Sequence, residues 1–212
     1  MGRRKAADIT QHPDFCGDPT TGEVYISTYT GNKFYLSQPV FDIRDISHSL
    51  SMQCRYTGHC TRRFSTAEHS VLVSRIMEDY QLGDPFEGLM HDAHEAYLCD
   101  LAKPWKSLMP EFNASEARIE AACRKHFHLE GDRISEGAKI GDTVSLFLEA
   151  EQIINGFETW DIGWAPPKAH EIFAIERAKT LGNRRYHIMC FDPEAAKREF
   201  MGRFRKYWDD AA

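Results

Sequence analysis

An all-α protein with one small N-terminal β-hairpin is the fold class this sequence predicts, and three observations predict it. Helix-start signatures recur along the chain: Ser65 with Glu68 three residues on, Asp84-Pro85, and Asp192-Pro193-Glu194. After each of them apolar residues return at helical spacing, whereas β-formers alternate only from Tyr25 to Leu36, around Thr30-Gly31-Asn32. With 212 residues and 42% hydrophobic content, the chain can bury one good core and fits a single domain.

Residues 1–23 mix charge with Pro13, Asp18-Pro19 and Gly22 and read as irregular. The expected organisation is therefore an N-terminal arm over 1–24 and one domain over 25–212 that ends in a helical extension. After the hairpin, Asp42 opens a helix with Ile43, Ile46 and Leu50 on one face. The helix opened by Ser65 has Leu72, Val73, Ile76 and Tyr80 as its apolar face, and His69 shares that face in the first turn. Asp84-Pro85-Phe86-Glu87 offers an N-cap acid, a proline at the first helical position and a capping glutamate. Phe86, Leu89, Met90, Ala93 and Tyr97 keep the helical period, which places His91 and Asp92 mid-helix.

Asn113-Ala114-Ser115-Glu116 reads as the cap of a helix holding Ile119, Ala122 and Cys123. The run Lys139–Ile154 reads as another, with Val144, Phe147, Leu148, Glu151 and Ile154 as its stripe and Asp142 near its start. Pro166-Pro167 breaks the chain before a helical stretch with Ile172, Phe173 and Ile175. The last helix, opened by Asp192, presents Phe200, Phe204, Tyr207 and Trp208, a stripe better suited to core or subunit contact than to stacking on bases.

The formal charge of −6, from 26 basic and 32 acidic residues, argues against a nucleic-acid polymer as partner. No apolar run approaches a membrane span, and the N-terminus Met1-Gly2-Arg3-Arg4-Lys5 lacks the apolar stretch of a signal peptide. A cytoplasmic protein is expected. The six cysteines, Cys16, Cys54, Cys60, Cys99, Cys123 and Cys190, form no C-x-x-C pair, so reduced thiols are expected rather than a zinc knuckle or a disulfide framework.

The chemistry concentrates in His69, His91, Asp92 and Asp142. Two imidazoles and two carboxylates bind one divalent ion and leave positions open for water and substrate; zinc, cobalt, manganese, nickel and iron all suit such a set. Neighbours on a helix lie about 100° apart, so His91 and Asp92 can clasp an ion from two sides, with Glu95 one turn beyond His91. Taken singly each residue has a plainer reading: a buried histidine is usually a hydrogen-bonded core residue, and Asp142 could simply answer the helix dipole. The combination, in this order and on helices, points to a metal. Glu95 is then a candidate to orient water or move a proton. Arg55, with its planar fork, and Lys106, with its point charge, read from the residues alone as ordinary solvated surface cations.

This pattern resembles the HD-domain phosphohydrolases, all-α bundles in which a histidine, a later His-Asp pair and a distant aspartate hold the metal. Arg55-Tyr56, Glu68-His69-Ser70, the run His91 to Leu101, Pro104 and Lys106 are similar to the small 5′-deoxynucleotidases and to the dATP triphosphohydrolases of phages. Thr28–Phe34 and Cys54–His59 are closer to the phage type. The likeness covers about residues 28–155 and is most specific over 91–106. It implies a compact HD-type bundle, one divalent metal ion per subunit on His69, His91, Asp92 and Asp142, and a catalytic Glu95. It further implies phosphate contacts from Arg55 and Lys106, a sugar contact from Asp100, and a homo-oligomer. Relatives of this type usually have tryptophan where this chain has Tyr56, so their selectivity against ribonucleotides is not implied.

The implied reaction is hydrolysis between the 5′ oxygen and the α-phosphorus of a deoxynucleotide. A dNTP giving triphosphate ranks slightly ahead of a dNMP giving phosphate, with Lys33, Arg62, Arg63 and Lys103 as candidate contacts for a polyphosphate tail. Three rivals rank lower. A zinc peptidase needs histidine where H-E-x-x-H, begun by His94-Glu95, meets Leu98. A cyclic-nucleotide or dinucleotide phosphodiesterase of the HD group is disfavoured because the extended second-ligand motif of the dinucleotide enzymes is not visible. A non-catalytic metal- or nucleotide-binding helical protein has no need of Glu95 or Arg55. His59 and His94 are left out of the site.

Overall fold

Strands β1 (Tyr25–Ser27) and β2 (Lys33–Tyr35) pair antiparallel, with Ile26 opposite Phe34, as the alternation of β-formers predicts. Phe34 points to the core and stacks on Tyr97 with ring centroids 3.9 Å apart, which docks the hairpin on the helices. The helices in order are α1 (Ile43–Met52), α2 (Thr66–Tyr80), α3 (Pro85–Met90), α4 (Glu95–Leu98), α5 (Lys103–Lys106), α6 (Pro110–His126), α7 (Glu136–Ile153), α8 (Pro167–Arg177) and α9 (Pro193–Tyr207). The computed structural model describes residues 17–18, 21–179 and 185–208, so most of the arm expected over 1–24 lies outside the described residues. Within its described part, Gly17 bridges to Val24 and Asp18 accepts from the Tyr35 hydroxyl at 2.9 Å, which ties it to the hairpin.

Helix α2 organises the domain. Its start is the capping box expected from sequence: Ser65 Oγ accepts from Glu68 N at 3.2 Å, and Glu68 Oε2 accepts from Ser65 N at 2.9 Å. The predicted apolar face is real but too narrow, because α2 packs on α1, α3, α7 and α9 together and is buried nearly all round. Ala67 and Val71 join the apolar cluster shared with α1, α6 and α9, whereas Leu72 and Ile76 join the one shared with α7 and α8. His69 therefore lies between two cores, with no access to solvent from its own helix.

Five local expectations change. His91 and Asp92 are not mid-helix, since α3 ends at Met90 and a turn over 91–94 precedes α4. There the bonds tighten to i→i+3, Ala93 N to Met90 O at 3.0 Å and Glu95 N to Asp92 O at 2.9 Å, while His91 Nδ1 takes up the Gly88 carbonyl at 2.9 Å. Glu87 does not cap α3; it accepts from Arg124 Nη2 and Ser135 N, both at 2.8 Å, and Asp84 alone caps through Phe86 N. Helix α6 starts at Pro110 rather than after Asn113, whose side chain donates to Lys106 O at 2.8 Å. Helix α7 starts at Glu136 behind an Ser135 cap, which moves Asp142 into the second turn, and Glu151 leaves the predicted stripe to pair with Arg177 at 3.0 Å. Ile175 is 44% exposed, whereas Trp208, just past α9, packs with Phe86, Phe127 and Phe204 as core.

The start of α7 lies against the end of the α2–α3 connection. A Cβ added at Gly137 would lie 1.6 Å from the Leu82 carbonyl oxygen and 2.8 Å from its carbon, and neither is a side chain that can swing away. Gly137→Ala is expected to destabilise the fold by about 1–3 kcal/mol or more, read as a lower denaturation midpoint at unchanged slope. A midpoint equal to that of the parent chain would refute this close approach.

Candidate metal centre

His69 on α2, His91 and Asp92 on the turn after α3, and Asp142 on α7 converge. The hydrogen-bond network assigns both imidazole protons to Nδ1: His69 donates to Glu149 Oε1 at 2.6 Å, and His91 donates to the Gly88 carbonyl at 2.9 Å. Both Nε2 atoms are then turned toward the carboxylates, and they face each other at 3.3 Å. Asp142 Oδ1 lies 3.2 Å from His69 Nε2, and Asp92 Oδ2 lies 3.1 Å from His91 Nε2 and 3.5 Å from His69 Nε2. Around one ion with bonds of about 2.1 Å, neighbouring donor atoms sit roughly 3.0 Å apart in octahedral geometry and 3.4 Å in tetrahedral. These spacings lie within or just beyond that range; His69, His91 and Asp142 form the set close enough together to share one divalent cation, and Asp92 stands against both histidines.

The electrostatics agree. Burial and the Arg55 guanidinium oppose a charged His69, but Glu149 and Asp142 lift it to about 9. Burial likewise opposes charge on Asp142, and His69 nevertheless holds its carboxyl at about 2. The spot attracts positive charge.

A cavity of about 390 Å³ opens beside these ligands, with Asp92 and Asp142 at one end and Arg55, Tyr56, Asp100, Glu95 and Lys106 around it. The predicted phosphate and sugar residues are thus brought together with the predicted ligands. Arg55 Nη1 lies 3.6 Å from Asp100 and 3.8 Å from Asp92, while Lys106 Nζ sits 3.3 Å from Glu95 and 2.6 Å from Glu116. Glu95 Oε2 is buried without a hydrogen-bond partner, and burial together with Asp92 and Asp100 keeps this carboxyl well above its usual range. A carboxyl shifted upward in this way beside the His69–Asp142 cluster is suited to giving a proton to a leaving oxygen.

Of the cations offered for a polyphosphate tail, only Lys103 lines the cavity. Lys33 pairs with Asp18, Arg62 donates to Ile188 O, and Arg63 donates to Phe191 O and Ser51 O. His59 is exposed on the turn after Arg55, and His94 faces Glu116 at 3.9 Å.

Sequence reasoning missed Glu149. This fully buried carboxylate accepts from His69 Nδ1 and Ser145 Oγ on one oxygen and from Arg55 Nε and the Tyr56 hydroxyl on the other. It joins His69 to Arg55, and it also holds the hydroxyl of Tyr56, whose backbone is left-handed at φ 58°. Its signal was spacing: Asp142, Ser145 and Glu149 stand at i, i+3 and i+7 on one face of α7. Glu116, read as a cap, instead holds Lys106.

No family model matches the chain. It is 36% identical over 132 residues to the uncharacterized protein YfdR of Escherichia coli K12, an alignment covering 61% of this chain and 72% of that protein. It is 33% identical over 137 residues to an uncharacterized protein of Rhodobacter capsulatus, covering 58% of this chain and 70% of that protein. At that identity and coverage, the chain belongs to the family of the uncharacterized protein YfdR.

Proposed function

We propose that this chain is a metal-dependent phosphohydrolase that cleaves the bond between the 5′ oxygen and the α-phosphorus of deoxynucleotides. One observation carries the reading: the Nε2 atoms of His69 and His91 and the Asp142 carboxylate lie close enough together to share one ion, with Asp92 against both histidines, beside a cavity that also holds Arg55, Lys106 and Glu95. His69, His91, Asp92 and Asp142 would hold the ion, with zinc, cobalt, manganese, nickel or iron as the candidates. Bound there, a divalent cation polarises the phosphoryl group and makes water more acidic. Arg55 and Lys106 bind the phosphate oxygens, and Glu95 orients the attacking water or protonates the departing 5′ oxygen. Asp100 meets the sugar, while Leu146 and Trp160 give the cavity an apolar wall for the base.

Charge favours the monophosphate. Three cations, Arg55, Lys103 and Lys106, line the cavity with four carboxylates, Asp92, Glu95, Asp100 and Asp142. Arg55 and Lys106 are already paired with Glu149 and Glu116, so even with a divalent ion the site offers little charge beyond what a phosphate monoester dianion can use. A triphosphate carries roughly twice that charge, and Lys33, Arg62 and Arg63 are engaged elsewhere. The triphosphohydrolase is the second reading, favoured by Lys103 at the cavity wall.

The test is product analysis with metal-loaded protein and a panel of dNMPs, dNTPs and ribonucleotides. Phosphate plus deoxynucleoside from dNMPs is expected, abolished by a chelator and restored by a divalent ion. Triphosphate from dNTPs would turn the assignment to the second reading. No turnover with any of the five metals would leave a binding protein. We also propose a cytoplasmic homo-oligomer; the described residues contain no helix long and apolar enough to cross a membrane.

A further inference from the structure

Cys54 and Cys60 lie on either side of the turn that presents Arg55 and Tyr56 to the cavity, and their Sγ atoms stand 3.7 Å apart. The turn itself brings them together. Tyr56, Thr57 and Gly58 are all left-handed, at φ 58°, 53° and 79°, and they fold the chain back within a few residues. Cys54 is anchored on one side by an isolated bridge to Ser65, and Cys60 Sγ reaches back to the Arg55 carbonyl at 4.0 Å. Both thiols are partly exposed, in contrast to the buried Cys123. A disulfide needs its sulfurs at about 2.05 Å, so a small contraction of this short loop suffices. Neither thiol has a role in the proposed hydrolysis.

We propose that Cys54 and Cys60 are a reversible redox site, oxidised to an intramolecular disulfide by exchange with a low-molecular-weight disulfide such as oxidised glutathione. The thiolate of one cysteine attacks a glutathione sulfur, breaking the glutathione S–S bond, forming a mixed disulfide and releasing one glutathione thiolate. The second cysteine thiolate then attacks its neighbour's sulfur, breaks the mixed disulfide and releases the second glutathione. Two cysteine sulfurs are oxidised, one glutathione disulfide is reduced, and the two protons end on the two glutathiones. Burial and the neighbouring Cys54 push the Cys60 thiol up, so exchange is slow at neutral pH and faster in alkali. In a reducing compartment such a bond forms only transiently, as regulatory disulfides do.

The consequence falls on Arg55, which follows Cys54 directly. Drawing the sulfurs together shifts the turn and loosens the grip of Glu149 on Arg55 and Tyr56. This effect on turnover rests on the phosphohydrolase reading; the cross-link does not.

The experiment equilibrates the full-length, metal-loaded chain over a series of oxidised to reduced glutathione ratios, quenches with acid, alkylates and digests with trypsin. Cleavage after Arg55 separates the two cysteines, leaving Cys54 in peptide 45–55 and Cys60 in 56–62. Those peptides are expected to appear as one linked species that dithiothreitol reverses, with dNMP hydrolysis falling about tenfold or more in parallel and recovering on reduction. Both cysteines remaining alkylated at every ratio would overturn the site, as would a link from either of them to Cys190 in peptide 186–197. A chain with the link but no turnover in either redox state would sink the hydrolase reading and still support the redox site.

Discussion

Asp92→Ala is expected to strip the chain of bound divalent metal and to lower deoxynucleotide hydrolysis by at least about 10³-fold, roughly 4 kcal/mol of barrier. The substitution removes the oxygen that lies 3.1 Å from His91 Nε2 and 3.5 Å from His69 Nε2, leaving two neutral nitrogens and a single carboxylate. The fold should survive. Asp92 sits on a turn with its side chain 18% exposed, and Arg55 keeps Glu149 and Asp100 as partners when Asp92 is gone. Metal content after dialysis, product release and the unfolding midpoint should therefore separate: the first two collapse and the third moves little. Asp100→Asn is the contrast, because it lies on the cavity wall and not among the ligands; it should weaken substrate affinity at full metal content. Full metal and full turnover in Asp92→Ala would remove the site.

Particular residues show what could be read before the structure. Ser65 and Glu68, Asp84-Pro85 and Asp192-Pro193 announce helix starts because capping is local, decided within four residues, and all three starts fall where expected. His69 was legible as inward-facing because helical spacing puts it on the apolar face of α2, whereas His91 and Asp92 sit on a turn, and only their order along the chain and the resemblance grouped them with His69 and Asp142. The ends of elements were not legible. Whether α3 continues past Met90 depends on the Gly88 carbonyl being taken by the His91 ring, a contact that no periodicity reports. Glu87, Asn113 and Glu116 look like caps in sequence but bond to groups brought from elsewhere in the chain. Lys33, Arg62 and Arg63 were free to be phosphate contacts only until tertiary structure assigned them other acceptors. A charged residue's partner is a property of the fold, and the sequence pattern sees only the charge.

Glu149→Gln carries the second large effect, and it separates holding a ligand from being one. Each oxygen of Glu149 already receives two donors, His69 Nδ1 and Ser145 Oγ on one and Arg55 Nε and Tyr56 Oη on the other. A glutamine has the same shape but only one acceptor oxygen, so one donor pair meets an NH₂ group instead. With the amide nitrogen toward His69, the ring proton must move to Nε2, where it points at Asp142 and His91 and competes with any metal. With it toward Arg55, a buried guanidinium loses its strongest partner. Groups that orient a metal-ligating histidine typically contribute 10–100-fold to metal affinity, and a loss of that size is expected here. The readout is metal affinity by chelator competition, together with ring ¹⁵N shifts that report the His69 tautomer. Glu149→Ala goes further, leaving Arg55 and His69 buried beside a void; breaking a buried ion pair costs about 3–5 kcal/mol, a large share of a typical 5–15 kcal/mol stability. A Gln variant with parental metal affinity and an unchanged tautomer would show that Glu149 only braces the core. A variant that folds, holds metal weakly and hydrolyses slowly would show that one carboxylate, out of reach of the ion, sets the protonation state of the residue that binds it.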